Sequence, residues 1–304
     1  MSLYQIFKGK GPSGFGYGST AEDVTAGLSL AGKTMLVTGC NSGLGRETLR
    51  TLALRGVRVI GTARTFEKAR EACAIAAGQA IPLACELSEP SSVRACVAAV
   101  ITAGYQLDAI ICNAGIMALP KLQRACGYEL QFFTNHMGHF ILVTGLMEQL
   151  AATGRVVVLS STAHTQAKRG GIEFDNLDGS KGYGPWRMYG QSKFANILFA
   201  KELARRFAGT RRTANAVHPG VIRTNLIRHN AILSVVMNAI EPLFLKSVPQ
   251  GAATQVYVAT NPALAAVSGK YFADCNIATP RADAENPQTA AKLWDVSEQI
   301  SRSV

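Results

Sequence analysis

Thr34-Met35-Leu36-Val37-Thr38-Gly39-Cys40-Asn41-Ser42-Gly43-Leu44-Gly45 decides how the rest of the chain is read. Residues 34–38 have strand character, glycines follow at 39, 43 and 45, and a helical pattern starts near Leu44 and runs to Leu54. Glycines at such a turn let backbone amides approach a pyrophosphate, and the helix that follows points its positive end at the anion. A glycine-rich turn also arises for backbone reasons alone. The argument therefore rests on position, between the first strand and first helix of an alternating pattern.

Working outward, the alternation holds. Strands are expected at 57–63, 80–84, 109–112, 155–159, 213–217 and 270–272. Helices are expected at 66–77, 91–103, 124–150, 186–207, 249–259 and 287–300. This is the rhythm of βαβ units, and it predicts an α/β fold: a doubly wound parallel sheet of about seven strands with helices on both faces. Residues 31–304 read as one such domain. Residues 1–30 read as a leader, flexible over 11–20, with a short helix at 21–27 capped by Thr20. Residues 165–185 are too long and irregular for a simple turn, which suggests a functional loop.

Composition narrows the classes. Of the 304 residues 48% are hydrophobic and 17% charged, as in a well-packed globular protein. The formal charge is +11, but Lys8, Arg46, Arg64, Lys68, Arg205, Arg206, Arg211 and Arg212 are spread along the chain. That spread, without aromatic interleaving, argues against nucleic acid as a partner. The seven cysteines sit singly, without a Cys-x-x-Cys pair, and read as reduced packing residues of a cytoplasmic protein. No apolar run reaches the ~20 residues of a membrane span, so no transmembrane segment is expected. Peripheral membrane contact through the basic surface, and oligomerisation, stay open.

The second strand ends Gly61-Thr62-Ala63-Arg64. An acidic residue there would bind a ribose 2′-hydroxyl, whereas an arginine suits a 2′-phosphate, so Ala63 and Arg64 point to NADP(H) over NAD(H). A merely solvated arginine at a strand end is the plainer alternative.

Tyr189-Gly190-Gln191-Ser192-Lys193 puts a phenol and an ammonium on one helix face. A phenol titrating near 10 is a poor acid/base at neutral pH, and a neighbouring cation favours its ionised form. The pair is common on ordinary helices, and two further residues sharpen it. Ser161 follows the fifth strand, at the carboxyl edge where open α/β sheets bind ligands, and Asn135 lies within the helix after the fourth.

In this order, the turn at 38–45, Asn113-Ala114-Gly115, Asn135, Ser161, Tyr189-x-x-x-Lys193 and Pro219-Gly220 resemble the short-chain dehydrogenase/reductase family over residues 30–304. Asn135-His136-Met137-Gly138-His139-Phe140, the run Tyr189–Asn196, the ending Lys292-Leu293-Trp294 and the long gap between Ser161 and Tyr189 are similar to its retinol-dehydrogenase-like branch. The leader, with Gly18-Ser19-Thr20-Ala21-Glu22, is similar to relatives of the WW-domain oxidoreductase and of a chloroplast import-associated dehydrogenase.

The resemblance implies a Rossmann fold and hydride transfer between nicotinamide and a carbonyl or alcohol. Tyr189 would be the general acid/base, and Ser161 the hydrogen-bond partner of the substrate oxygen. Lys193 would lower the tyrosine pKa and hold the ribose, and Asn135 would anchor a water. Gly39, Asn41, Ser42, Gly43, Leu44 and Gly45 would cradle the pyrophosphate. Asn113, Ala114 and Gly115 would line the adenosine side, and Pro219, Gly220, Val221 and Thr224 the nicotinamide end. Glu86-Leu87 stands where the family has Asp-Leu beside the adenine, which puts that one contact in doubt.

The segment 226–247, largely apolar, would cover a lipophilic substrate or else be an ordinary core helix. His164 would meet the substrate or be a polar loop residue. His136 and His139 share a helix face but lack a clustered third ligand, so no metal site is expected. Cys40 and Cys112 read as packing residues. A nucleotide-binding regulatory or scaffold protein that keeps the site without turnover is the alternative to an enzyme.

Overall fold

The computed structural model describes residues 8–76, 80–222 and 245–304. In chain order the strands are β1 (Thr34–Val37), β2 (Arg58–Ala63), β3 (Ala80–Ala84), β4 (Leu107–Cys112), β5 (Arg124–Ala125), β6 (Tyr128–Glu129), β7 (Leu150–Leu159), β8 (Thr213–His218), β9 (Tyr271–Ala273) and β10 (Asn276–Ala278). All but the β5–β6 hairpin join one eight-stranded sheet in the order β3-β2-β1-β4-β7-β8-β9-β10. Every pairing in it is parallel except β9 with β10. The doubly wound sheet is the expected one, with eight strands in place of about seven. The chain changes its direction of travel between β1 and β4, and a ligand crevice opens at the carboxyl ends of strands at such a point.

The central strands are buried on both faces, as crossovers on both sides require. Alternate side chains feed two separate cores. Leu36, Ile110 and Val156 point into one with Phe132, Phe140 and Phe199. Val37, Ile111 and Val157 point into the other with Leu49, Leu52 and Val256. The second core is covered by α1 (Gly43–Leu54) and α6 (Val248–Thr260); α2 (Phe66–Cys73) and α3 (Pro90–Thr102) flank the β3 edge. The first is covered by α4 (Gly138–Gly145) and α5 (Pro185–Arg206), and α7 (Pro287–Ser303) lies over these. From α7, Trp294 packs on Phe140 and Phe199 with ring centroids 5.0 and 5.9 Å apart, and the Arg206 guanidinium lies 4.0 Å from its ring centroid.

Three expectations need correcting. The single helix at 124–150 is instead the β5–β6 hairpin, a short turn at Leu130–Phe132, a π-helical turn at Phe133–Met137, then α4 and a 3-10 turn at Met147–Gln149. Cys126 and Gly127 have φ of 51° and 84°, left-handed values that no α-helix contains. Glu129 then caps the turn, accepting from the Phe132 amide at 2.8 Å. Leu150 already belongs to β7 and pairs with Leu107.

The leader is not loose over 11–20. Ser13 N donates to Asn276 Oδ1 (3.0 Å), Asn276 Nδ2 donates to Phe15 O (3.0 Å), and Phe15 meets Tyr257 edge-on at 5.6 Å. The helix expected at 21–27 shrinks to a 3-10 turn, Asp23–Thr25, with Thr20 Oγ1 accepting from the Asp23 amide (3.2 Å). Among the described residues no helix is long and apolar enough to cross a membrane. The segment 226–247 lies outside the described residues up to position 244, as does Thr224.

Candidate active site

The turn after β1 is built by omission. Gly39 has φ of 71°, and a Cβ there would stand 2.9 Å from the Ala114 Cβ. A Cβ on Gly45 would collide with the Gly39 carbonyl and lie 2.6 Å from Asn113 Nδ2. Asn41 and Ser42 are exposed, and Gly43 and Leu44 half-buried, at the start of α1. Ser42 takes the N-cap position without a side-chain cap bond, leaving the helix start directed outward. This cradle, closed to side chains beneath and exposed above, fits a pyrophosphate.

Thr38 knits the turn to β4. Its hydroxyl accepts from the amides of Asn113 (2.9 Å) and Ala114 (3.0 Å) and lies 2.9 Å from His139 Nε2. Asn113 Nδ2 donates to Thr38 O (2.8 Å), and its Oδ1 accepts from Gln255 Nε2 on α6 (3.1 Å). His139 Nδ1 sits 2.9 Å from the Asn135 carbonyl, an acceptor, so the ring donates there and accepts from Thr38. Burial pushes the His139 pKa down to about 4, so the ring is neutral.

Asn135 lies in the π turn, fully buried. Its Oδ1 accepts from Ile116 N (2.8 Å), and its Nδ2 donates to Ile116 O and Ser192 Oγ (both 2.9 Å). A π turn inserts one extra residue into a helical turn and recurs at functional positions, and here it carries the Asn135 side chain. Gly115 comes close to the same point: a Cβ there would lie 3.1 Å from Asn135 Oδ1 and 3.3 Å from Lys193 Nζ.

Ser161, Tyr189 and Lys193 are brought together because α5 is bolted to the end of β7. Ser160 Oγ donates to Lys193 O (2.7 Å), while Asn196 Nδ2 (2.8 Å) and Lys193 Nζ (3.2 Å) both donate to Leu159 O. The Ser161 hydroxyl accepts from Ala163 N (3.1 Å) and lies near enough to the Tyr189 phenol to favour its ionised form. Lys193 Nζ lies 5.7 Å from the Tyr189 ring centroid. Burial raises the phenol to about 12, with the Ser161 hydroxyl opposing, and burial lowers Lys193 to about 8. The expected lowering of the phenol by Lys193 is not met: burial outweighs the nearby ammonium, and Tyr189 stands above its ordinary value.

Of the other expected residues, Arg64 is exposed directly beyond the last residue of β2. Glu86 is turned back on its own loop, its Oε1 accepting from Ser88 N (3.1 Å) and Oγ (2.9 Å), so its carboxylate already has partners. Leu87 is buried against Gly138. Pro219 and Gly220 are half-buried at the end of β8, and Val221 is 54% exposed. Burial raises the thiols of Cys40 and Cys112, which suits packing and not reactivity.

His164 has both ring nitrogens occupied: Nδ1 lies 2.6 Å from Ser161 O and Nε2 accepts from Arg281 N (3.0 Å). It holds the serine loop in place. Thr38, Ser160, Ser192, Asn196 and Gln255 were given no individual role from the sequence, and His139 was weighed only as a metal ligand. The Ser192 and Asn196 spacing within α5, three and seven residues after Tyr189, is the one signal that placed them on its face.

The chain matches the family model described as short chain dehydrogenase over residues 33–231. It is 40% identical over 320 residues to the short-chain dehydrogenase TIC 32 A, chloroplastic, of Brassica napus, with all of both chains covered. It is 39% identical to human retinol dehydrogenase 14, covering 88% of this chain and 85% of that one. Among solved structures, a protein from Mycobacterium paratuberculosis superposes with a TM-score of 0.76 at 33% identity, over 92% of this chain and 97% of that one. A Burkholderia cenocepacia short chain dehydrogenase solved with NADP superposes with a TM-score of 0.66 at 24% identity, over 81% of this chain and 97% of that one.

Proposed function

The chain belongs to the short chain dehydrogenase family, a family of oxidoreductases, and from that membership we propose that it interconverts lipophilic aldehydes or ketones and their alcohols with NADP(H). The observation that carries the proposal is the convergence of the Ser161 hydroxyl, the Tyr189 phenol and the Lys193 ammonium at the carboxyl edge of the sheet, beside the glycine cradle. When bound, the nicotinamide supplies or accepts the hydride.

The chain's own residues do the rest. The cradle at 39–45 and the start of α1 hold the pyrophosphate, and Arg64 pairs with the 2′-phosphate. Asn113, Ala114 and Gly115 line the adenosine side, and Pro219, Gly220 and Val221 the nicotinamide end. Ser161 hydrogen-bonds the substrate oxygen, while Tyr189 gives that oxygen its proton in reduction and takes it back in oxidation. Lys193, charged below about pH 8, holds the ribose, and its charge opposes the burial that raises the phenol. Asn135 anchors a water on the route from Lys193 to solvent.

The lipophilic, retinal-like preference rests on the apolar sequence of 226–245 and on the similarity to retinol dehydrogenases. A cytoplasmic location belongs to the same reading, supported by seven unpaired cysteines.

The test is NADPH oxidation followed by absorbance across a panel of aldehydes, for the wild type and Tyr189→Phe, with NADPH and NADH titrated side by side. Turnover by the wild type alone, with NADPH bound more tightly than NADH, is expected. Equal NADPH binding by both proteins with no oxidation by either would favour a nucleotide-binding regulatory protein instead.

A further inference from the structure

Lys246 is a cation in an unusual place, 1% exposed. Lysine is almost never fully buried unless paired, and an apolar chain of similar length would fill the space without giving up hydration. Its stem runs directly beneath the turn that follows β8. Gly220 has φ of 90°, and a Cβ on it would lie 2.7 Å from Lys246 Cδ. The Lys246 amide donates to Val221 O (2.9 Å), and Lys246 is bridged to Ile222 in parallel register.

The ammonium is held from two other parts of the chain. Asp274, at φ of 50° on the tight turn between β9 and β10, places Oδ1 2.6 Å from Nζ, and its Oδ2 lies 3.5 Å from Lys8 Nζ. The Tyr17 ring centroid lies 4.8 Å from the Lys246 ammonium. Tyr17 is buried and belongs to the leader, which is itself tied down. Ser13 and Phe15 bind Asn276, Gln250 Nε2 donates to Gly18 O (3.3 Å), and Ala21 N donates to Pro249 O (2.9 Å). His218, the last residue of β8, also faces this cluster, with Lys246, Asp274, His164 and Lys8 around it.

We propose that Lys246, clamped between Asp274 and the face of Tyr17, is a positioning residue for the turn 219–222, and that the leader thereby sets how well this chain grips the nicotinamide half of its cofactor. The inference rests on the reading that this turn embraces the nicotinamide. A cation held by an aromatic face and a carboxylate acts as a fixed post: its stem supports Gly220 where no side chain fits, and its backbone fixes the height of Val221 and Ile222. Losing the ring face loosens the post, whereas Gly39 and Gly45, which would lie beneath the pyrophosphate, are backed by Ala114 and Asn113 and not by the leader.

The test uses the full chain without substrate. Binding of NADPH and of adenosine 2′,5′-bisphosphate, which lacks the nicotinamide half, is titrated for wild type, Tyr17→Leu, Tyr17→Phe and Lys246→Met. Amide hydrogen exchange is followed in peptides spanning 219–222 and 246. Tyr17→Leu is expected to weaken NADPH by about fivefold, the size of one partly desolvated cation–π contact. It leaves the bisphosphate within twofold and speeds exchange at both peptides. Tyr17→Phe, which keeps the ring, stays near wild type on all counts. Lys246→Met follows Tyr17→Leu, and should it fail to fold, the two Tyr17 variants still decide. Tyr17→Leu binding NADPH like wild type, weakening both ligands equally, or leaving exchange unchanged would overturn the inference. A wild type that binds NADPH but reduces no aldehyde would count against the proposed oxidoreductase activity and not against this post.

Discussion

The glycine turn at 38–45 and the Ser161–Tyr189–Lys193 cluster share one edge of the sheet yet are made in opposite ways. At 38–45 the structure works by leaving side chains out, so that backbone meets backbone under an exposed helix start. At 161, 189 and 193 it works by putting polar side chains where water is scarce, and burial drives the phenol up and the ammonium down. Addition should therefore damage the first region and subtraction the second, with binding lost in one case and turnover in the other.

The sharpest way to break this contrast is Tyr189→Phe, which removes one oxygen. Turnover should fall by about 10²–10⁴-fold, the range of a lost general acid/base, with NADPH affinity within twofold of wild type. Steady-state rates and fluorescence titration read both, and a parallel fall in the two would erase the distinction. The converse is Gly45→Val, which adds atoms against the Gly39 carbonyl. Overpacking of this kind costs about 1–3 kcal/mol, visible as a lower urea midpoint, and NADPH binding should weaken by at least about tenfold.

A third measurement addresses the joint between the regions. His139 links Thr38 of the turn to Asn135 of the cluster, and burial holds it near 4 and His136 near 3, against about 6.5 in the unfolded chain. Both folded values are lowered, so the unfolded chain binds more protons between those limits. Stability is then complete above pH 6.5 and is lost as pH falls toward 4, at about 1.4 kcal/mol per pH unit for each ring. Urea midpoints at pH 7, 6 and 5 should fall accordingly, and a flat series would show that these rings are not buried neutral. The smallest effect is expected at Arg64, exposed and able to act only through charge. Arg64→Ala should reduce the preference for NADPH over NADH by about fivefold, as for a solvent-screened ion pair. Parallel titrations of the two cofactors check it.

The contrast also explains what the sequence revealed. A glycine cradle is a local demand, met within eight consecutive residues, and Val- and Ile-rich strands alternating with helical periods carry the sheet order with them. The side chains at 135, 161, 189 and 193 were legible as a set because they stand in a known order. The groups that hold them were not, because Thr38, Ser160 and Asn196 matter only through partners 30 or more positions away. The 124–150 segment was misread because apolar residues of helical period in its second half masked Cys126-Gly127, the one dipeptide that announces a hairpin. Strand β10 is three residues long and has no periodicity to detect. Phe15 and Tyr17 sit among glycines that suggest a loose chain, yet aromatic rings in such a setting are anchors once a surface is there to receive them.

Helix α5 is buried almost continuously from Met188 to Leu203, enclosed by the sheet on one side and by α7 with its Trp294 on the other. The chain's own C-terminal helix thus covers this face of α5. While α7 is docked, no second surface can reach the α5 side chains that lie beneath Trp294.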